Sequence, residues 1–331
     1  MTISTAQFVQ PNVAAIEKEI ERAIDKGSKI CCIVLPNHLK NSYKNIKMSS
    51  LQQEIVTQCV TEATLRKKGL QSIATKILLQ IIAKRGNILW VPQMSNELEM
   101  SVMLVGFEQA KVKNKTLMAC CATINSTFTL VHTSTKIYEG NENKYKTMSD
   151  LLIAAVAAYA ERNKATPDEI ICFNSSCTGD QISLYQDLFV KQSLDHLKGV
   201  YTDATISFSL VMINVKTNER FFGEKDGRPS NPPAGTLICT DVVSKDYDFY
   251  LISQGSNKGT AVPNHYKVVY SDSKIQEGLL QEIAFSQCFN YVNWTGSIKV
   301  PSIMQYAKKA STFGAEVLSD TEVPSSLYSP F

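Results

Sequence analysis

Residues 246–271 read DYDFYLISQGSNKGTAVPNHYKVVYS, and residues 291–309 read YVNWTGSIKVPSIMQYAKK. The aromatic and β-branched run Tyr247–Gln254 predicts one strand, the run Lys267–Tyr270 predicts another, and GSNKGT between them predicts a flexible loop. Pro263 fixes its own φ and biases Val262 away from helix, so the chain leaves the loop extended and aims Asn264 and His265 in a defined direction. Functional side chains are often displayed where a loop enters a strand, and His265 stands there. A histidine that merely caps a strand edge would leave the same trace in the sequence.

Outside this stretch the composition bounds the answer. The chain has 331 residues, 44% hydrophobic and 20% charged, enough to bury a full core in one large domain plus part of another. No charged and then apolar leader follows Met1, and no apolar run is long enough to span a bilayer, so an intracellular protein, nuclear or cytoplasmic, is expected, with no membrane partner. The nine cysteines contain no CxxC pair and sit mostly in apolar runs such as KICCIVLP and LMACCATIN, which predicts reduced core thiols. A net charge of +3 is compatible with nucleic-acid binding but too small to argue for it, so any such groove must come from local clustering.

From the start of the chain, NVAAIEKEIERAIDKG (residues 12–27) spaces its apolar side chains as an amphipathic helix that Gly27 stops, and KICCIVLP reads as a buried strand. Helix followed by strand suggests an open α/β layer. Tyr43 and Lys47 are four apart, Gln58 and Cys59 follow in TQCV, and a helix is predicted over 70–84. Within it Lys76, Gln80 and Lys84 form a polar file beside Ile73, Ile77, Leu78, Leu79, Ile81 and Ile82. An amide in an apolar helix needs partners, and lysines near a tyrosine make a small anion pocket; a solvated helix edge would show the same spacing. Three strand-like runs follow, SVMLVGFE, TLMACCATIN and TFTLVHTST, then the helix SDLLIAAVAAYAER and the strand EIICFNS, which is the ribonuclease H order. A second helix near 182–197 and strands near 206–215 extend the sheet.

The ordered set of a buried aromatic strand ending in SQ, a Gly-Thr loop, P-x-H-Y, a helix and YVNW-x-G-x-I-x-VP-x-x-x-QYA-x-K resembles the C-terminal half of a Piwi domain. The domain is that of the Argonaute/Piwi superfamily, and the likeness is closer to its Piwi branch than to its Argonaute branch. The resemblance implies an α/β fold, with the C-terminal part of a doubly wound MID domain over 1–95 and a ribonuclease H-like PIWI domain over 96–331. It also implies that the chain begins partway into the MID domain and lacks the N-terminal and PAZ domains. Piwi proteins hold a guide RNA's 5′ phosphate with a Tyr, Lys, Gln, Gln, Lys set, which the resemblance places at Tyr43, Lys47, Gln58, Gln80 and Lys84. With Gln rather than Lys at position 80, it further implies a Mg²⁺ ion at the phosphate, near Gln80 and the terminal carboxylate of Phe331, although the ending SLYSPF departs slightly from the family's pattern.

Nucleases of the ribonuclease H fold hold two divalent ions roughly 4 Å apart with clustered carboxylates and a histidine. The family positions fall on Glu108, where an Asp is usual; on Ser175, where an Asp after Arg is usual; near Lys146 or Thr147, where a loop Glu is usual; and on His265. Glu139 and Glu142 could serve only after remodelling of their loop, and Asp180 is expected to cap the next helix. A hydroxyl at Ser175 cannot offset two Mg²⁺ charges, so a guide-binding protein without slicer activity is expected, with guide RNA, a complementary target RNA and silencing factors as partners. The alternatives are an RNA-guided endoribonuclease using Glu108, His265 and a displaced carboxylate, and a purely structural fragment. The long loop KTNERFFGEKDGRPSNPPAGT brings Lys216, Arg220, Lys225 and Arg228, and the resemblance places such loops near nucleic-acid backbones; an ordinary solvated loop has the same composition.

Overall fold

A computed structural model describes residues 12–94, 98–140, 142–244, 247–256, 258–273 and 275–318. They form two compact units that part between Leu89 and Trp90.

In the first unit Asn12 caps helix α1 (Val13–Asp25) by accepting from the Ala15 amide at 2.8 Å, and Gly27 at φ +76 turns the chain out of it. Strand β1 (Ile30–Leu35), helix α2 (Tyr43–Gln52) and strand β2 (Val56–Thr61) make a βαβ unit, with β1 and β2 parallel in the register Ile30↔Val56 to Leu35↔Thr61. Ile20, Leu35, Ile46 and Ile55 join the two helices to one face of this pair. The short helix α3 (Glu62–Leu65) leads to α4 (Leu70–Lys84), which spans the expected residues. None of the fifteen residues of α4 is buried, and β2 is the strand it packs on.

The second unit is built on an eight-stranded mixed sheet. Strands β3 (Val102–Val112), β4 (Lys115–Thr123) and β5 (Val131–Tyr138) form an antiparallel meander, and helix α5 (Glu142–Asn163) crosses to β6 (Glu169–Ser175), parallel to β3. Helix α6 (Gly179–Leu184), a π-helical turn over Tyr185–Lys191 and α7 (Gln192–Val200) return the chain to β7 (Ser207–Asn214), parallel to β6. A small hairpin of β8 (Gly223–Lys225) and β9 (Arg228–Ser230) precedes β10 (Thr236–Ile238), β11 (Asp248–Ile252) and β12 (Asn264–Ser271). Helices α8 (Glu277–Ser286) and α9 (Ser302–Leu318) follow, and the strand order is β10-β11-β12-β7-β6-β3-β4-β5. One face carries Met103, Val105, Phe107, Cys172 and Leu210 against α5, the π turn and α7, and α9 covers the other face over β3 and β4.

Four expectations need correction. The strand carrying Glu108 does not end there but runs on to Val112 in register with β4. The stretch before SDLLIAA is not a loop: α5 starts at Glu142, so Lys146 and Thr147 are helical. Asp180 sits in the first turn of α6, and Thr178 takes the N-cap position. The basic loop after β7 contains the β8–β9 hairpin, whose two-residue turn Asp226-Gly227 has positive φ at both positions (54 and 71), as type I′ hairpins demand.

Two features set the stability of this unit. A Cβ placed on Gly106 would meet the backbone of Ile303 at 2.8 Å and of Met304 at 2.9 Å, so only glycine lets α9 lie this close to β3. Glu169, the first residue of β6, is fully buried; Ser209 Oγ donates to one of its oxygens at 3.0 Å, and the other has no partner among the described residues. Burial, reinforced by the Asp272 carboxylate and only partly offset by the nearby hydroxyls of Ser273 and Ser209, pushes its acid up to about 7.

Gly106→Ala is expected to lower unfolding free energy by about 1–3 kcal/mol, read from urea midpoints, because backbone has to move. A folded pKa above the unfolded value makes the Glu169 contribution full below about pH 4.5 and lost as pH rises through about 7. The Tm of the parent chain therefore falls over that window, and Glu169→Gln gives a markedly flatter curve; parallel curves would rule the assignment out.

Candidate functional site

The first unit gathers four of its five expected residues into one hydrogen-bonded set, with the fifth beside it. Lys47, one turn into α2, donates from Nζ to the Thr57 carbonyl oxygen at 2.7 Å and to Thr57 Oγ1 at 2.8 Å. Lys84, the last residue of α4, donates to the same carbonyl oxygen at 2.9 Å and to Gln58 Oε1 at 2.8 Å. Gln58 Nε2 in turn donates to Gln80 Oε1 at 3.0 Å. Tyr43 lies one helical turn before Lys47, with its ring centroid 6.0 Å from the Lys47 ammonium. The odd amide of α4 thus has its partner, as a polar group between apolar residues must.

The electrostatics of this set are one-sided. Two ammonium groups share a single carbonyl oxygen, and like charges at that spacing repel by about 3 kcal/mol at an effective dielectric of 20. Desolvation by burial pushes the Lys47 pKa down, only partly offset by the Cys59 thiol. The thiols of Cys59 and Cys32 lie within electrostatic reach of the lysines, and burial pushes both up, so they are neutral. An anion with several oxygens relieves the repulsion and uses the donors. Gln80 supplies one neutral oxygen for a cation, so Mg²⁺ fits here only together with an anion that brings charge and further oxygens; Phe331 lies outside the described residues.

In the second unit the expected metal positions separate into two pairs. Ser175, the last residue of β6, donates from Oγ to Glu108 Oε1 at 3.0 Å. Burial pushes the Glu108 acid up, while the Ser175 hydroxyl, the Lys308 ammonium on α9 and the Gln109 amide pull it partly back. His265 instead bonds through Nε2 to Asp248 Oδ2 on the neighbouring β11 at 2.8 Å and stacks on Tyr250 at 4.5 Å between centroids. Ser175 pairs with Ile213 of β7, and His265 pairs with the next residue, Asn214, so the pleat turns the two side chains to opposite faces of the sheet.

Neither pair has the chemistry of a two-metal centre. Glu108 offers one half-buried carboxylate beside a neutral hydroxyl and an ammonium, and Glu139 is ion-paired to Lys115 at 2.8 Å. Asp180 is exposed at the start of α6, and among the described residues no three His, Cys, Asp or Glu side chains are placed to hold one metal. Two residues escaped the sequence reading. Asp248, only 7% exposed, fixes His265 and also accepts from the Ser244 amide at 2.9 Å; its place in DYDFY, two residues before a buried tyrosine, was the available signal. Thr57, which anchors both lysines through its backbone, gave none. Arg220 is folded onto its own loop, donating to the carbonyls of Thr217 and Glu219 at 2.8 and 2.6 Å.

A family model described as the Piwi domain matches residues 30–319. The chain belongs to the Argonaute/Piwi superfamily. Among curated members, it is 29% identical over 309 residues to the protein piwi of Drosophila melanogaster, which covers 89% of this chain and 35% of that one. It is 26% identical over 295 residues to Piwi-like protein 1 of Danio rerio, covering 88% and 34%. The chain thus spans about a third of the length of these relatives. The crystal structure of Drosophila Piwi matches with a TM-score of 0.80 at 26% identity, covering 92% of this chain and 42% of that one. Kluyveromyces polysporus Argonaute, solved with a guide RNA, shares the fold with a TM-score of 0.78 at 17% identity, covering 94% and 39%. The fold class is therefore α/β, with the MID-like and ribonuclease H-like PIWI architecture of these C-terminal lobes. Among the described residues no helix is long and apolar enough to cross a membrane.

Proposed function

We propose that the chain is part of a small-RNA-guided silencing protein that holds the 5′ phosphate of its guide in the first unit and does not cut the target. The observation that carries the reading is the pair of lysines on the Thr57 carbonyl oxygen, joined through Gln58 to Gln80, an arrangement of two cationic donors that suits a terminal phosphate. In this reading residues 1–95 are the C-terminal part of the MID domain and residues 96–331 the PIWI domain, and the division into two compact units supports it.

The roles follow from the geometry. Lys47 and Lys84 bind the phosphate as point charges, Gln58 and Gln80 hold their side chains in register, and Tyr43 closes the side next to Lys47. A Mg²⁺ ion entering with the phosphate would add charge neutralisation, with Gln80 as its protein ligand; the part given to Phe331 belongs to the same proposal. Sequence selection rests on base pairing between guide and target, while the protein reads backbone and shape. The loss of cleavage rests on Ser175 beside Glu108 and on the turn of His265 towards Asp248. The active-nuclease reading keeps one point in its favour: Asp248 orients His265 much as a carboxylate orients a metal-binding imidazole.

Two measurements decide. RNA with a 5′ phosphate should bind more tightly than its 5′-hydroxyl counterpart, and Lys84→Ala should remove about 10- to 100-fold of that preference, the worth of a hydrogen bond to a charged group. Equal affinities for the two RNAs, or an unaffected Lys84→Ala, would abolish the reading. Guide-loaded chain mixed with complementary target and Mg²⁺ or Mn²⁺ should leave the target intact. Guide-dependent cuts at one position, lost in His265→Ala, would establish the nuclease instead.

A further inference from the structure

Near the carboxyl end of β6, on the sheet face opposite Ser175, a polar cluster stands apart from both sets described above. Asn174 of β6 and Lys267 of β12 pair with the same residue of β7, Met212, so the three side chains form one row on the face that α5 and the π turn cover. Tyr185, which opens the π turn, lies beside Asn174 and accepts from Lys144 Nζ of α5 at 2.6 Å. The Lys144 ammonium also sits over the rings of Tyr185 and Tyr145, 4.6 and 5.4 Å from their centroids. Cys177, between β6 and α6, completes the group. Its thiol feels the ammonium groups of Lys144 and Lys267 and, among the described residues, one carboxylate, that of the exposed Asp180.

The cluster is rich in donors and short of acceptors. Asn174 is 7% exposed, and its Oδ1 accepts from the Ser175 amide at 3.0 Å. That amide can only donate, which fixes the oxygen end of the Asn174 side chain. The other end, Nδ2, is buried and has no partner among the described residues. A buried donor left unpaired costs free energy that a ligand oxygen would recover. Lys144 has three donors, of which one is used among the described residues. Burial pushes its pKa down, only partly offset by the Cys177 thiol, so an anionic oxygen beside it would restore what the lost hydration removed. Lys144 and Cys177 are half-buried, so the cluster meets solvent at its rim. The π turn that places Tyr185 is itself a rare geometry that recurs at functional sites.

We propose that this cluster binds a phosphate group through Lys144 and the Asn174 amide, with Lys267 adding positive charge and Tyr185 holding Lys144 in place. The site lies in the other unit from the five-residue set and does not depend on it. Its chemistry fits inorganic phosphate or the backbone phosphate of an RNA strand, and the two sources separate by experiment. Cys177 serves as the local reporter. Its alkylation by iodoacetamide in the full chain is followed by mass spectrometry with inorganic phosphate, with a 5′-hydroxyl oligoribonucleotide, or with chloride at equal ionic strength.

Bound phosphate should slow alkylation of Cys177 several-fold, and chloride should not. Each variant is compared with and without ligand, so that changes in the thiol itself cancel. Lys144→Gln should raise the half-protecting concentration about tenfold or more, and so should Asn174→Asp, which keeps the bond from the Ser175 amide but turns a donor into a repelling carboxylate. Where Asn174→Asp fails to fold, Lys144→Gln decides alone. Lys198→Gln, an exposed lysine of α7, and Lys84→Ala in the first unit should leave protection unchanged. Protection by inorganic phosphate identifies the free ion as a ligand, and protection by the oligonucleotide alone identifies a backbone phosphate. The proposal is overturned if neither protects Cys177 beyond chloride, if Lys144→Gln leaves protection intact, or if Lys84→Ala removes it.

Discussion

The close approach of α9 to β3 at Gly106 is the constraint on which the second unit depends. Helix backbone lies where a methyl group would otherwise be, so α9 covers the sheet tightly enough to bury Cys121, Ala119 and Phe173 on its face. That packing also brings Lys308 up to Glu108 from α9. Shifting the helix would therefore change both the core and the charge around the one carboxylate that remains at a family metal position. The opposite face is filled by α5, the π turn and α7, where Phe107, Phe189 and Phe208 meet edge to face at 5.5 and 6.0 Å.

The two units handle charge in opposite ways. In the first, cations are concentrated: two lysines from different helices share one carbonyl oxygen. In the second, charges at the ends of the strands are held in place, Glu108 by a bond from Ser175 and the Lys308 ammonium nearby, and Asp248 by its bond to His265. A concentrated positive site draws in a polyanion, whereas locally compensated pairs have little net field with which to attract divalent cations. Binding without cleavage follows from that contrast under the proposed function.

Much of this architecture was legible in the residue pattern. The helix over 70–84, the strand over 169–175 and the strands within 102–108 and 116–123 follow from period, length and bounding turn residues, which act locally; the run of β3 on to Val112 does not. The extra length of α5 was not legible, because ENKYKTM is polar and carries no apolar stripe until tertiary contact buries Tyr145 and Met148. The exposure of α4 was not legible either, because an apolar stripe does not say which elements cover it.

By itself the sequence determined the order of elements, the family motifs and the identities at the expected phosphate and metal positions, since these depend only on which residues stand at which spacing. Tertiary structure alone decided that Lys47 and Lys84, from separate helices, meet on the carbonyl of Thr57, whose side chain gave no hint of it. It decided also that His265 turns to Asp248, because β7 between β6 and β12 offsets the register by one residue and the pleat converts that offset into opposite faces. Spacing along the chain carries no record of which strand lies beside which, and that neighbour relation is what sets the partners of a catalytic side chain.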